Sequence, residues 1–289
     1  VTGVRRLTPQ GKETVGECES VISLVGAGPG AEDLITLRGV ERLRDAEVVI
    51  WASSLIPPSI LSYVDRSRCE IYDSAGMTLE DVVALYDANK DKKVVRLHSG
   101  DPSIYGAIQE QIDYLEEHNI DFEVVPGVTS VAAASAALQR ELTVPGVSQS
   151  VVFTRMAKKT KGSMPHRETV SAYAKVGGTL CVFLSGSYPK ELQDELLCEG
   201  SAYDVETPVA VVVRVGWDDE KLQMTRLGDL AATMNSIGAR RTVLVLVGDA
   251  LDSEPLRSHL YNPSFAHKFR KKSVGNTVGR PTKALRSSL

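Results

Sequence analysis

The sequence predicts an α/β protein made of two units with mainly parallel sheets and a ligand cleft between them, on three observations. Short β-branched and aliphatic runs, such as Val21-Ile-Ser-Leu-Val25, Val48-Val-Ile-Trp51 and Val94-Val-Arg-Leu97, alternate with segments whose apolar residues recur at helical spacing. Four strand ends carry small or amide-presenting residues: Gly28-Pro29, Gly100-Asp101, Thr129-Ser130 and Ser185-Gly186. The length of 289 residues leans toward two domains, at roughly 100–200 residues each.

Taken in order, residues 1–20 read as a flexible leader and 21–142 as an N-terminal α/β domain. Strand 21–25 leads into Gly26-Ala-Gly-Pro-Gly30, and Leu34, Leu37, Val40 and Leu43 mark a helix. Strand 48–51 precedes a helix starting at Pro57. Tyr72-Asp-Ser-Ala-Gly-Met77 reads as a loop before a helix capped by Thr78, with Asp81 at N3 as an approximate capping box. After strand 94–97, Asp101 as N-cap and Pro102 at N1 predict a helix over 103–118 with the stripe Ile104, Ile108, Ile112 and Leu115. Strand 122–125 and the Ala-rich helix 130–138 close this half.

Residues 143–150 are the expected linker, with Pro145 and Gly146 adjacent. The C-terminal α/β domain, 151–252, is smaller and more mixed. Its expected strands are 151–154, 179–184, 208–215, an edge strand 221–226, and 242–247. The expected helices run to about Lys175, over 189–198 and over 227–237.

The composition, 43% apolar and 24% charged, is that of a soluble globular protein. No apolar run approaches the roughly 18 residues of a membrane span, and the first twenty residues lack a signal-peptide core, so a cytoplasmic location is expected. Cys18, Cys69, Cys181 and Cys198 show no ligand spacing, which predicts free thiols and no metal site. The net charge of −4 hides an asymmetry. Residues 253–289 carry eight Lys/Arg against one acid, a charge of +7, which leaves −11 on residues 1–252. This tail, poor in apolar periodicity, reads as a disordered solvated extension, with no nucleic-acid role expected.

The loop His98-Ser-Gly-Asp101 follows a buried strand, where α/β folds present backbone amides to ligands. An ordinary capped corner accounts for it equally well. Gly26-Ala-Gly-Pro-Gly-Ala31 formally satisfies the dinucleotide fingerprint. Pro29 removes an amide from the phosphate-facing turn, however, and the second strand ends in Trp51-Ala-Ser-Ser54 without a carboxylate for a ribose hydroxyl, so nicotinamide binding is disfavoured. Together the four strand ends suit a nucleoside with polar ends. His98, beside the glycine loop, is a candidate for site chemistry, with a structural histidine the favoured reading. Segment 155–167 holds five Lys/Arg. It reads as a solvated loop, or as a lip that attracts a polycarboxylate through Arg155, Lys158, Lys159 and Arg167.

In combination, Val25-Gly-Ala-Gly-Pro-Gly30, Leu97-His-Ser-Gly-Asp-Pro102, Val125-Pro-Gly-Val-Thr-Ser130, Thr207-Pro-Val-Ala210 and Arg241-Thr242 resemble the tetrapyrrole methylases of cobalamin biosynthesis, over roughly residues 21–250. Within that family, Tyr72–Thr78 with Arg96–Gly106 is similar to the members that methylate ring carbon C11 of a precorrin. The resemblance implies a homodimer of two-domain subunits that binds S-adenosyl-L-methionine in the interdomain cleft and releases S-adenosyl-L-homocysteine. It implies donor contacts from Pro29, Ser99, Gly100, Asp101, Ile104, Thr129 and Ser130, and from Leu184, Arg214, Val215 and Thr242. One departure is Val215-Gly216 after Arg214, where small residues are usual; it loosens the register of that contact.

The implied reaction is in-line displacement at the sulfonium methyl by a ring carbon, with orientation supplying most of the rate. His98, Asp101 and Tyr105 are weak candidates for assisting proton loss. Competing readings are a sister methylase acting at another ring carbon, a protein methylase like the related diphthine synthases, and a nucleotide-binding module without turnover. The sequence does not separate metal-free from cobalt-containing precorrin-4.

Overall fold

The computed structural model describes residues 21–157, 161–253 and 258–275. The expected leader, Lys158, Lys159 and the last fourteen residues of the expected tail lie outside the described residues.

The first half runs β1 (Ile22–Gly26), α1 (Leu37–Asp45), β2 (Val48–Trp51), β3 (Glu70–Asp73), α2 (Leu79–Ala88), β4 (Val94–His98), α3 (Gln109–Glu117), β5 (Phe122–Val125) and α4 (Ser130–Leu138). Its five strands form one wholly parallel sheet in the order β3-β2-β4-β1-β5. One face buries Val25, Val49, Val95 and Leu97 with Leu43 of α1. The other buries Ile22, Leu24 and Ile50 with Tyr86 of α2 and Leu115 of α3. Cover on both faces is why these strands read as continuous apolar runs. Thr78 caps α2 in a complete capping box with Asp81.

Two local expectations change. Tyr72 and Asp73 belong to the edge strand β3, whose half-polar pattern hid it; the following turn is fixed by Asp73, which accepts the Ala75 and Ser53 amides. Helix α3 begins at Gln109, six residues later than expected. The Asp101 carboxylate is committed elsewhere, and Tyr105 (φ 56°) and Ala107 (φ 49°) interrupt any helix with left-handed backbone. Ile104 therefore leaves the helical stripe.

The second half comprises β6 (Val151–Arg155), α5 (Val170–Ala174), β7 (Thr179–Phe183), α6 (Pro189–Leu196), β8 (Pro208–Val213), β9 (Lys221–Arg226), α7 (Leu230–Ser236) and β10 (Val243–Val247). Its sheet has the order β6-β7-β10-β8-β9. Only β6 and β7 pair in parallel; β7/β10, β10/β8 and β8/β9 are antiparallel. The expected mainly parallel arrangement thus holds for the first sheet, and the second is mixed. Residues 214–220 are too few for a parallel crossover, which needs about a dozen residues, so β9 folds back on β8 as a hairpin.

The halves share a core. Val131, Ala133 and Ala134 of α4, with Leu34, pack on Cys181, Ala210, Val212, Leu244 and Leu246 of the second sheet. Backbone also meets backbone: a Cβ on Gly216 would lie 2.7 Å from the Ala31 nitrogen. The stretch 258–275, expected as part of a disordered extension, holds a defined turn. The Arg270 guanidinium donates to the carbonyls of Leu260, Asn262 and Phe265, and His267 and Arg270 pair their backbones.

Candidate active site

Strand order decides where the site forms. The chain leaves β1 toward β2 on one side and leaves β4 toward β5 on the other, and ligands of open parallel sheets sit beyond the strand ends at such a reversal. There Gly28 and Gly100 exchange both backbone hydrogen bonds, N–H to O distances being 3.2 and 2.7 Å. Gly127 is pressed into the same corner, and a Cβ on it would lie 2.1 Å from the Gly100 oxygen. The loop amides expected to face a ligand are therefore partly spent within the protein. What the corner offers is a fixed, closely packed floor.

Above this floor a cleft of about 670 Å³ lies between the two sheets. From the first half it is lined by Pro29, Ser99, Gly100, Asp101, Ile104, Tyr105, Thr129 and Ser130, and from the second by Leu184, Val215 and Thr242. Of the expected donor contacts, Arg214 is the one outside the lining: its guanidinium lies 3.8 Å over the Trp217 ring and donates to Asp219 at 2.6 Å. Of the expected cationic lip, Arg155 and Arg167 are described, and neither lines the cleft. Arg155 donates to Ser163 and borders a separate cavity of about 260 Å³, and Arg167 is exposed on a 3-10 turn.

Asp101 organises the loop. Its carboxylate accepts the Ser103 amide at 2.8 Å, the Ser103 hydroxyl, and across the loop the Gly127 amide at 2.8 Å. Partial burial opposes its ionisation, but these hydrogen bonds outweigh that and hold its pKa below the usual carboxylate range. His98 is different. It is 6% exposed, is absent from the cleft lining, bonds the Gly106 backbone, and leaves Nε2 buried without a partner. Burial, with the charge of Arg96, pushes its pKa down to about 3, so it is a neutral structural histidine and a poor base. Tyr105 does line the cleft and packs on Phe183 across it at 5.0 Å between ring centres. Burial raises its pKa, so the phenol stays protonated at neutral pH.

Several lining residues escaped the sequence reading: Ser54, Leu55, Met156, Phe183, Tyr188 and Arg240. No local pattern marks them; the fold brings these segments, distant in sequence, to one cleft. Tyr105, Leu184 and Thr242, all at the cleft, have φ of 56°, 53° and 51°. Left-handed backbone is uncommon for such residues and costs about 1–2 kcal/mol each. Strain of this kind collects where a site needs a chain reversal and a side chain together. Leu184 remains 63% exposed in spite of it, which leaves its side chain open to the cleft.

The comparisons agree with this geometry. The sequence profile described as tetrapyrrole (corrin/porphyrin) methylases matches residues 21–231. A cobalt-precorrin-4 C(11)-methyltransferase of Methanocaldococcus jannaschii is 45% identical over 253 residues, covering 86% of this chain and 96% of that protein. A precorrin-4 C(11)-methyltransferase of Sinorhizobium sp. is 40% identical over 252 residues, covering 86% and 98%. Among solved structures, a cobalt precorrin-4 methyltransferase of cobalamin biosynthesis superposes with a TM-score of 0.76 at 38% identity, covering 86% of this chain and all of that one. A uroporphyrin-III C-methyltransferase from Thermus thermophilus, complexed with S-adenosyl homocysteine, superposes with a TM-score of 0.66 at 26% identity, covering 80% and 93%. A two-sheet chain with a shared cleft, matched by the profile over most of its length and by these relatives from end to end, belongs to the tetrapyrrole (corrin/porphyrin) methylase family.

Proposed function

We propose that this chain is an S-adenosylmethionine-dependent C-methyltransferase that methylates C11 of precorrin-4, giving precorrin-5 in corrin ring synthesis. The observation that carries this reading is the cleft itself, lined from both halves by the residues the family resemblance assigns to the donor. Its volume falls within the roughly 300–1,000 Å³ range of small-molecule sites. The lining chemistry fits the donor in three ways. Ile104, Leu184 and Val215 offer apolar walls for the adenine. The hydroxyls of Thr129, Ser130 and Thr242 suit its polar ends, and the Asp101 carboxylate suits its positive charge. The fully buried Ser185 hydroxyl beside the lining residues Leu184 and Gly186 also lacks a partner within the protein.

When bound, the donor supplies an electrophilic methyl group on a sulfonium. The chain's own part is positioning. The Gly28–Gly100–Gly127 corner fixes the floor, Asp101 ties the two loops above it together, and the Tyr105–Phe183 contact bridges the halves at the cleft wall. Orientation of this kind supplies a large share of a transfer rate. Neither His98, sealed and neutral, nor Tyr105, held protonated, serves as a base. The electron-rich ring carbon is the nucleophile: its bond to the methyl forms as the methyl–sulfur bond breaks, the neutral thioether leaves, and the methylated ring gives up a proton to solvent.

Cobalt-precorrin-4 is the second reading of the substrate, favoured by the 45% identity to the Methanocaldococcus jannaschii protein against 40% to the Sinorhizobium one. A two-domain organisation, working as a homodimer, completes the proposal and rests on the family resemblance. The test is to offer both macrocycles with methyl-labelled donor. One label per ring at C11, read by mass and NMR, is expected from one or both; no transfer to either overturns the assignment.

A further inference from the structure

We propose that Arg240 and Arg241 form the carboxylate-receiving site of the cleft and thereby select a polycarboxylate macrocycle. The inference rests on the tetrapyrrole reading and deepens it. Three observations carry it. First, these two are the basic residues among the described cleft lining, both are exposed, and neither guanidinium has a partner among the described residues. Of the other described basic candidates, Arg214 is bound to Asp219 and stacked on Trp217, Arg155 borders the smaller cavity, and Arg167 lies outside the cleft lining. Second, the turn that carries the pair is fixed. It runs from Gly238 (φ 68°) to Thr242 (φ 51°), the Thr242 carbonyl accepts the Arg214 amide at 2.9 Å, and the Ile237 carbonyl accepts the Lys221 ammonium at 2.8 Å. A Cβ on Gly186 would lie 2.6 Å from the Arg240 oxygen, so the 184–188 turn is pressed directly against this backbone. Third, the chain works against a charge problem. Residues 1–252 carry −11, which repels a polyanion at long range, so attraction must come from a local cationic edge. Asp101 is the one acidic residue among the described cleft lining, so the two arginines leave the cleft with a positive balance.

Arginine suits this task because its planar fork matches a carboxylate at two points, which lysine does not. The pair lies on the second half, on the opposite wall from the Asp101 loop. It would hold peripheral carboxylates of the ring.

The test uses the full chain and its variants Arg240→Gln, Arg241→Gln and the double substitution, with Arg167→Gln for the alternative lip and thermal unfolding to verify folding. Uroporphyrin, with eight carboxylates, and mesoporphyrin, with two, are titrated against each by absorbance, and S-adenosyl homocysteine by calorimetry. Each single variant is expected to weaken uroporphyrin about tenfold, the loss of about 1.4 kcal/mol. The double variant should lose the preference for uroporphyrin over mesoporphyrin and flatten the salt dependence of binding, while S-adenosyl homocysteine affinity changes less than twofold. Arg241→Lys should keep the salt dependence and recover only part of the affinity. In turnover, KM for the macrocycle should rise with kcat little changed. Unchanged uroporphyrin affinity in the double variant overturns the proposal. So does a parallel loss of donor-product affinity, a larger loss in Arg167→Gln, or no uroporphyrin binding by the unsubstituted chain. Failure of the methylase reading is separate: it appears as absent methyl transfer by the unsubstituted chain, whatever the porphyrin titrations give.

Discussion

Asp101 accepts hydrogen bonds from its own loop and from the neighbouring one, so its carboxylate links two strand ends that otherwise meet through glycine backbone alone. Asp101→Asn removes the charge and replaces one of the two acceptor oxygens with a donor, and we expect a loss of about 1–2 kcal/mol, discounted for partial exposure, with weaker donor binding. Urea unfolding and calorimetry check the two effects. Because its folded pKa is depressed, the stability Asp101 contributes is present above the unfolded value and is lost as pH falls through the folded one. His98 also loses stability toward acid, by a different route. Its folded pKa of about 3 lies below the ordinary 6.5, so between those values the unfolded chain takes up a proton that the folded chain refuses. Its contribution is therefore full above about pH 6.5 and falls by on the order of 2 kcal/mol by pH 5. Unfolding of His98→Gln at several pH values should show a flatter slope over that window; an unchanged slope would exclude the sealed, neutral state. The sequence marked Asp101 as important because Ser-Gly-Asp-Pro after a strand is a recognisable pattern, but the expected partner was wrong. A carboxylate read as a helix cap in fact reaches across to Gly127, a long-range contact that local pattern does not encode.

The elements divide along the same line. The continuous apolar runs β1, β2 and β4, the Ala-rich α4 and the helix α7 stood close to their expected ranges. Boundaries moved where the chain carries strain: at Tyr105 and Ala107, which delay α3, and at Leu184, Arg214 and Thr242, which end β7, end β8 and precede β10. The direction of pairing in the second sheet was also hidden, because the runs Pro208–Val213 and Val243–Val247 are apolar on both faces in either arrangement. The strained turns make a prediction of their own. Leu184→Gly relieves a left-handed leucine that is mostly exposed, so stability should rise by up to about 1 kcal/mol while affinity for S-adenosyl homocysteine falls. Thermal unfolding with a binding titration reads both; a gain in affinity would contradict the role given to this side chain. Gly127→Ala goes the other way. Its Cβ would meet the Gly100 oxygen at 2.1 Å, and loss of folded protein or of donor binding is expected.

At the scale of the whole molecule, the two sheets are joined by a shared core and by the cleft walls, so a ligand that touches both should bind the folded chain as a unit. S-adenosyl homocysteine at a hundred times its Kd should raise stability by about 2.7 kcal/mol, and unfolding should remain a single transition. The site was legible in the sequence as a set of strand ends, because each end carries its own small-residue signature. Its cationic edge was not. The basic loop at 155–167 drew attention by charge density, whereas Arg241 stood in the sequence only as part of the Arg241-Thr242 motif and Arg240 carried no signal; the fold brings both to the cleft. The central claim is methyl transfer to a single ring carbon. It is tested most directly by incubating the chain with precorrin-4 or cobalt-precorrin-4 and donor carrying a 13C methyl, then locating the label by NMR. One new methyl resonance at C11 is the predicted result. Label at another ring carbon, or none in either macrocycle, would contradict the account.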